Sequence, residues 1–378
     1  GALPVLIALL AIVIFFQIKE PKYLSAGNLV NLFNQMVVFA IFAMAEVFVL
    51  LLGEIDLSIV YNAGIGAGLM AALVAPPWNF PWWLCILIGV ATTTFIGFVL
   101  GTLITRLRLP SFIVTLAAFL GLEGVMLWMF DRFSVAVGGV IEISNHVFID
   151  LVSGNLTPLA SWVTMAIVVL IFGAYSVIRD TRRRTAGLVT PPMGLTLLKA
   201  AAVAVAGIVV VAICNVNRGT ATTVNHGVPW SIPILLGIFA GANLLLSRTR
   251  FGRYVYAIGG NREAARRAGI NVALIRTIAF ALTGLLAGLG GMMYLSWLGS
   301  IATDIDPSYM LYAVAAAVIG GTSLYGGRGK ALHGVLGGVV IAAVYNGIYL
   351  MGLGAAVQYM VVAVVLLLAI TVDSLARG

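Results

Sequence analysis

Charged side chains are the scarcest class in this sequence. Asp, Glu, Lys and Arg make up 9% of its 378 residues, against roughly 25% in a soluble domain. So few charges cannot cover a surface that faces water on every side, so most of the chain is solvated by something else. Cysteine is nearly absent. Cys85 and Cys214 both fall inside or at the edge of apolar runs, which argues against a disulfide framework or a metal site and leaves the redox compartment unread. The three histidines, His146, His226 and His333, stand far apart without a His or carboxylate at ligand spacing, so they form no metal site and no catalytic base with a partner. A phosphate loop is also missing. Gly326-Gly327-Arg328-Gly329-Lys330-Ala331 lacks the first glycine at the required spacing and has alanine where a Ser or Thr must reach Mg²⁺. Any ATP and Mg that drive this chain therefore act on another chain. With no nucleophile, metal cluster or convergent acid and base, an embedded enzyme is disfavoured.

What is present is hydrocarbon: 62% hydrophobic residues and a mean hydropathy of +1.11. A helix crossing a bilayer needs about 20 mainly apolar residues. Such runs recur near 2–18, 32–52, 57–75, 82–104, 111–130, 158–178, 196–214, 230–247, 276–297, 309–325, 331–350 and 356–374. These predict an all-α polytopic membrane protein of about twelve spans, a single domain over 1–378. The run at 57–75, rich in glycine, is the one most open to being broken or re-entrant. The chain starts at Gly1 without methionine and enters an apolar run at once, so sequence is expected to precede it.

The net charge of +8 does not indicate a nucleic-acid binder, because the basic residues sit in short loops between apolar runs. With the chain starting inside and alternating, all but Lys19, Lys22, Arg132 and Arg218 of the 21 basic residues fall on the inner side, from Arg106 and Arg108 through Arg179 to Arg184, Lys199 and the 248–276 loop to Arg328, Lys330 and Arg377. The positive-inside rule selects that orientation, with both termini cytoplasmic. Glycines four apart, Gly97/Gly101, Gly284/Gly288 and Gly334/Gly338, suit close packing of helices within one chain. Gly53 to Ser58 and Gly320 to Leu324 each end an apolar run on the inner side and precede a glycine-rich one. That pattern fits either an internal repeat or a shared helix-start signal.

Ionisable residues inside spans cost roughly 2.5–3.5 kcal/mol at a helix centre on insertion scales, so they mark a functional interior or a buried carboxyl bonded to a neighbouring helix. Glu46 and Glu123 are the deepest, while His333 lies nearer an end. Glu54 and Asp56 sit where two spans meet, where Asp56 serves either a pathway or a helix cap. Asn34, Gln35, Ser58, Asn62, Ser111, Thr115, Asn346 and Gln358, with the Tyr345 ring, are of the type that binds hydroxylated solutes. In the 248–276 loop, Asn261 fits an N-cap, Glu263 the first turn and Gly269 the position past the end, giving a helix of about two turns, roughly 10 Å long, outside the membrane. Its small Ala264, Ala265 and Ala268 suit a groove on a partner, and its Arg266 and Arg267 reach acidic groups there or anionic membrane lipid.

Phe251-Gly252-Arg253 followed by Asn261, Glu263, Ala264, Ala265, Gly269, Ile270 and Asn271, then Gly320-Gly321-Thr322-Ser323-Leu324 with Gly326, Gly327 and Gly329, resemble the signatures of permeases in bacterial ABC importers of the ribose/xylose class. Glu54-Ile55-Asp56-Leu57-Ser58 and Pro110-Ser111-Phe112-Ile113-Val114-Thr115-Leu116 match that family too. The initial glutamate, where ribose-type members usually have glycine, and the added spans around 158–214 are most similar to xylose-type permeases. The resemblance implies a homodimer with a central pathway, a cytoplasmic ATPase with two nucleotide-binding domains that carries ATP and Mg, and an extracytoplasmic sugar-binding protein. Asn261 to Asn271 would be the coupling helix that docks on the ATPase, and Asp304 and Asp306 would meet the binding protein. Three positions depart from the family pattern: Ile59-Val60-Tyr61 where Val-Gly-Ser is usual, Glu123 where Arg is common, and His333 where a small residue is usual. The alternatives are a permease of the same superfamily for ribose, a nucleoside, a branched-chain amino acid or an autoinducer-type sugar, and an ion-coupled transporter using Glu46 and Glu123.

Overall fold

A computed structural model describes residues 3–133, 136–143, 145–219 and 224–375. The chain runs through α1 (Leu3–Lys19), α2 (Ala26–Leu50), α3 (Ile59–Val74), α4 (Trp82–Arg106) and α5 (Ser111–Arg132) to β1 (Val140–Glu142) and the short α6 (His146–Ser153). After α7 (Pro158–Thr185), α8 (Met193–Cys214) and α9 (Ser231–Arg248), the 248–276 loop folds as α10 (Arg250–Gly260) and α11 (Arg262–Arg267). Then come α12 (Val272–Leu298), β2 (Ser300–Ala302), α13 (Ser308–Ile319), α14 (Ala331–Leu350) and α15 (Ala355–Leu375). Polar side chains open several helices. The Ser25 and Thr157 hydroxyls accept from the Asn28 and Ala160 amides, each satisfying an amide that has no intrahelical carbonyl.

All twelve expected runs hold helices, but among the described residues eight are long and apolar enough to cross a membrane and four are shorter, including Ile59–Val74 and Ser308–Ile319. α3 is continuous and unbroken from Ile59 to Val74. The run at 309–325 is corrected: α13 ends at Ile319, because Gly320-Gly321 turns the chain and Gly321 takes φ +109°. Both α3 and α13 are buried among neighbouring helices, so their ends meet protein and need not reach the lipid headgroups.

α2 and α12 form the centre. α2 is buried on all sides from Val37 to Leu52, as a helix apolar all round must be. α12 packs along α4, α2 and α3, and α14 along α2. A Cβ on Gly97 would stand 2.2 Å from the Phe280 carbonyl oxygen, and one on Gly284 2.2 Å from that of Thr93. The α4–α12 seam therefore brings backbones together where lipid supplies no hydrophobic drive. Gly334 and Gly338 do the same against Met44 and Ala40 of α2. α7 packs chiefly on α8 as a peripheral hairpin with outward apolar side chains.

The loops sort to two ends. At one, Gly327 N–H donates to the Leu51 carbonyl (2.9 Å), Tyr256 Oη to that of Gly329 (2.8 Å) and Thr115 Oγ1 to that of Ile55 (3.3 Å). At the other, β1 pairs antiparallel with β2 in the register Val140↔Ala302 and Ile141↔Ile301, and Leu156 N–H donates to the Val228 carbonyl at 2.9 Å. These are the groupings that alternation along the sequence requires. The two glycine-bearing turns, Gly53 to Ser58 and Gly320 to Leu324, lie at the first end, where Gly53 approaches the Tyr325 carbonyl. Arg377 lies outside the described residues.

Candidate coupling and translocation site

At the end that gathers the basic loops, the two short helices of the 248–276 segment and the long α12 that follows each start on a side-chain cap. Thr249 Oγ1 accepts from Gly252 N–H (3.2 Å), Asn261 Oδ1 from Ala264 N–H (2.9 Å) and Asn271 Oδ1 from Leu274 N–H (3.0 Å). α11 closes at Gly269, whose φ of +82° is open to glycine without strain. Glu263 accepts from Arg266 Nη2 (2.9 Å) and Arg267 Nε (3.2 Å), and these guanidiniums hold its carboxyl below the ordinary range. Ala264 and Ala268 are exposed, as are Arg266 and Arg267, while Ile270 is half-buried. Ala265 is corrected: it is buried in this chain's own core. One residue on from exposed Ala264, it is turned by about 100° toward the rest of the chain.

Residues outside the expected set tie this segment to the membrane helices. Glu54, in the α2–α3 turn, pairs with Arg262 at 2.5 Å and with Arg276 of α12 at 2.7 Å. Its side chain is 5% exposed and that of Arg276 12%. One carboxylate thus joins the start of α11, the first turns of α12 and the end of α2. A Cβ on Gly259 would stand 1.9 Å from the Leu51 carbonyl oxygen, so only glycine lets the end of α10 lie this close to α2. Tyr256 seals the same junction, and burial pushes its hydroxyl pKa up. The signal in the sequence was a single acid ending one apolar run and an arginine inside the start of another, both expected at one end.

The pathway candidates divide. Glu46 is buried beside Asp56, and neither of its carboxyl oxygens has a hydrogen-bond partner among the described residues. Asp56 accepts from Ser58 N–H (2.9 Å) and Oγ (2.6 Å), so it also braces the turn into α3. Ser111 and Thr115 lie next to that turn, Thr115 also donating to the Ser111 carbonyl at 2.9 Å. Asn62 donates to the Thr93 carbonyl (3.2 Å) and leaves its own Oδ1 unpartnered. Glu123 lies apart, half-buried on α5 near Tyr61. Asn346 is corrected: it makes a reciprocal amide pair with Asn28 (2.8 and 3.1 Å), about 27 Å up α2 from Glu46 at 1.5 Å per residue. Asn34 accepts from Ser231, and Gln358 donates to Tyr312. Tyr345 belongs to an aromatic cluster with Phe39 and Trp297. His333 lies in the first turn of α14, with Nδ1 3.4 Å from Thr322 Oγ1. On the far side Asp304 is exposed, while Asp306 accepts from Ser308 N–H (2.9 Å) and Tyr359 Oη (3.3 Å) and so opens α13. A void between α2, α3 and α12, lined by Phe42, Gly64, Gly291 and Tyr309, holds about 10 Å³, room for one water and not a sugar.

Among the described residues, eight helices long and apolar enough to cross a membrane, with buried polar turns and short capped helices gathered at one end, mark a polytopic membrane protein. Residues 28–370 match the family described as branched-chain amino acid transport system / permease component, and the chain belongs to that family. It is 32% identical over 369 residues to the xylose transport system permease protein XylH of Escherichia coli K12, covering 97% of this chain and 90% of that protein. To XylH of Haemophilus influenzae it is 32% identical, covering 98% and 95%. To the ribose import permease protein RbsC of Escherichia coli K12 it is 30% identical, covering 98% and 92%. No solved structure matches.

Proposed function

We propose that this chain is the translocating subunit of an ATP-driven importer that carries a monosaccharide, xylose or a related pentose, across the bacterial inner membrane. The observation that carries the reading is 32% identity to a xylose permease along 97% of the chain. The chain works as a homodimer with a cytoplasmic ATPase of two nucleotide-binding domains and an extracytoplasmic sugar-binding protein. The end bearing α10 and α11 faces the cytoplasm, where the positive-inside rule puts basic loops.

The mechanism follows from the ties around α11. The exposed face of Ala264, Arg266, Arg267 and Ala268 docks on the ATPase, with Asn261, Glu263, Gly269, Ile270 and Asn271 shaping the docking helix. When ATP closes the ATPase domains, α11 moves, and Glu54 passes the displacement to α12 and the α2–α3 turn without a flexible joint. Glu46, Asp56, Ser58, Ser111 and Thr115 border that turn and change exposure as it shifts. The void at the centre of the bundle is too small for a sugar, so on this reading the route runs between two copies, where the half-buried Glu123 supplies a polar contact and Asn62 stays buried behind it between α3 and α4. Asp304 receives the binding protein.

The test is reconstitution in proteoliposomes with the ATPase and binding protein. Uptake of labelled xylose requires all three and ATP, and Glu263→Arg leaves hydrolysis running while uptake fails. Uphill uptake by this chain alone, driven by a proton gradient, would refute the assignment. Uptake of ribose but not xylose with the native binding protein would replace the substrate while keeping the class.

A further inference from the structure

We propose that a recess between α7 and α9 binds the phosphodiester headgroup of an anionic membrane lipid. The recess has a volume of about 540 Å³ and is lined by Tyr175, Ile178, Arg179, Arg182, Arg183 and Arg248, a size within the range of about 300–1,000 Å³ that small-molecule sites occupy. Arg179, Arg182 and Arg183 stand at i, i+3 and i+4, so they share one face of α7. Arg184, one residue on, turns away and donates to Thr190 and to the Pro191 carbonyl. Arg248 comes from the end of a different helix; its guanidinium sits 5.4 Å from the Tyr175 ring centroid and its Nη2 donates to the Tyr175 hydroxyl, and its other N–H groups can turn toward the recess.

The charge there is only partly compensated. Asp180 pairs with Arg179 at 2.8 Å and accepts from Thr196 at 2.7 Å, but among the described residues no carboxylate lies within salt-bridge distance of Arg182, Arg183 or Arg248. Asp180 also acts on Arg183, but one carboxylate beside four guanidiniums leaves an excess of positive charge, and their forked donors suit phosphate oxygens.

The helix faces show which anion. On α7, Ile171, Tyr175, Ile178 and then Arg182 succeed one another at helical spacing, and the first three are 65%, 46% and 51% exposed. On α9, exposed Leu244 precedes Arg248 by one turn. Both faces pass from aliphatic to basic toward the membrane surface, with Tyr175 near the change on α7, the order of acyl chain and headgroup in a lipid. A protein partner or soluble phosphate would not call for the aliphatic part.

Delipidated protein titrated with phosphatidylglycerol, cardiolipin or phosphatidylcholine, and read by native mass spectrometry, tests this. The two anionic lipids bind more than ten-fold tighter than phosphatidylcholine. Arg182→Gln and Arg248→Gln each cost about five-fold, and the double variant binds all three lipids alike. Arg184→Gln and Arg182→Lys keep the preference, and an unchanged helical circular dichroism spectrum shows that the double variant is folded. A double variant that keeps its preference for anionic lipid overturns the site. So does equal binding of inorganic phosphate, which would make a free anion the ligand, and so does loss of ATPase association with lipid binding intact, which would make the recess a protein contact.

Discussion

Glu54→Ala offers the most direct probe of how α11 is held to α12. Its carboxylate bonds two arginines of unlike burial, Arg276 at 12% and Arg262 at 50% exposure. An exposed ion pair contributes about 0–1 kcal/mol. Removing one member of a buried pair costs about 3–5 kcal/mol, because the other charge stays desolvated without a partner. Among the described residues, Arg276 leaves its buried Nε without an acceptor and pairs with no carboxylate other than Glu54. Arg262→Ala should therefore lower stability by under about 1 kcal/mol, and Glu54→Ala by about 3 kcal/mol or more. Replacing both Glu54 and Arg276 by methionine should restore most of the loss, since no charge is then buried alone. Unfolding in mixed micelles, followed by circular dichroism against denaturant, reads all four proteins, and ATP-dependent uptake reads coupling. If Glu54→Ala and Arg262→Ala lose the same amount, or if the double methionine variant is worse than Glu54→Ala, the carboxylate is not what holds α11 to α12.

The other predictions follow from contacts already given. Gly284→Ala drives a methyl against the Thr93 carbonyl oxygen at 2.2 Å and should cost about 3 kcal/mol or prevent folding; Gly241→Ala meets nothing within 4 Å and should be neutral or stabilising in the same unfolding assay. Asn346→Ala breaks the reciprocal pair with Asn28 and should cost about 1 kcal/mol, with uptake at saturating sugar unchanged. Because Arg266 and Arg267 hold the Glu263 carboxyl below its ordinary value of 4.5, its contribution is complete above that value and is lost as pH falls through the lowered one. Glu263→Gln should remove this acid dependence of ATPase association, measured between pH 3 and 6. Both native cysteines are buried, so Ala264→Cys should react with an impermeant maleimide only from the cytoplasmic face and Asp304→Cys only from the other.

Period and composition told most about the long helices, because lipid imposes length and apolarity on every one of them. They said less where protein replaces lipid: α13 stops at Gly320-Gly321 even though the apolar run continues, since a buried helix need not match the bilayer. The spacing of Gly97 with Gly101 and Gly284 with Gly288 indicated close packing, but which helices would meet depended on long-range topology. The caps of α11 could be read from Asn261 and Gly269, being local. The burial of Ala265 could not, because small residues suit both a docking face and a crowded core. Asn346 was of the right chemical type for a sugar, yet its amide is matched by Asn28, more than 300 residues away. Glu54 was visible as an acid between spans, while its two arginines came from a loop whose folding brings them back.

α12 runs without interruption from the Asn271 cap to Gly299, and its 27 residues make a rod about 40 Å long. A rod pivoted at one face magnifies small rotations: a tilt of about 5° carries its far tip sideways by about 3.5 Å, given that length. The far tip bears β2 and leads to Asp304. A stroke too slight to detect beside the nucleotide can thus reach the opposite leaflet as a displacement comparable to the width of a water molecule. The beam needs stiffness for this, so a proline near its middle should slacken the transmission before it loosens the bundle.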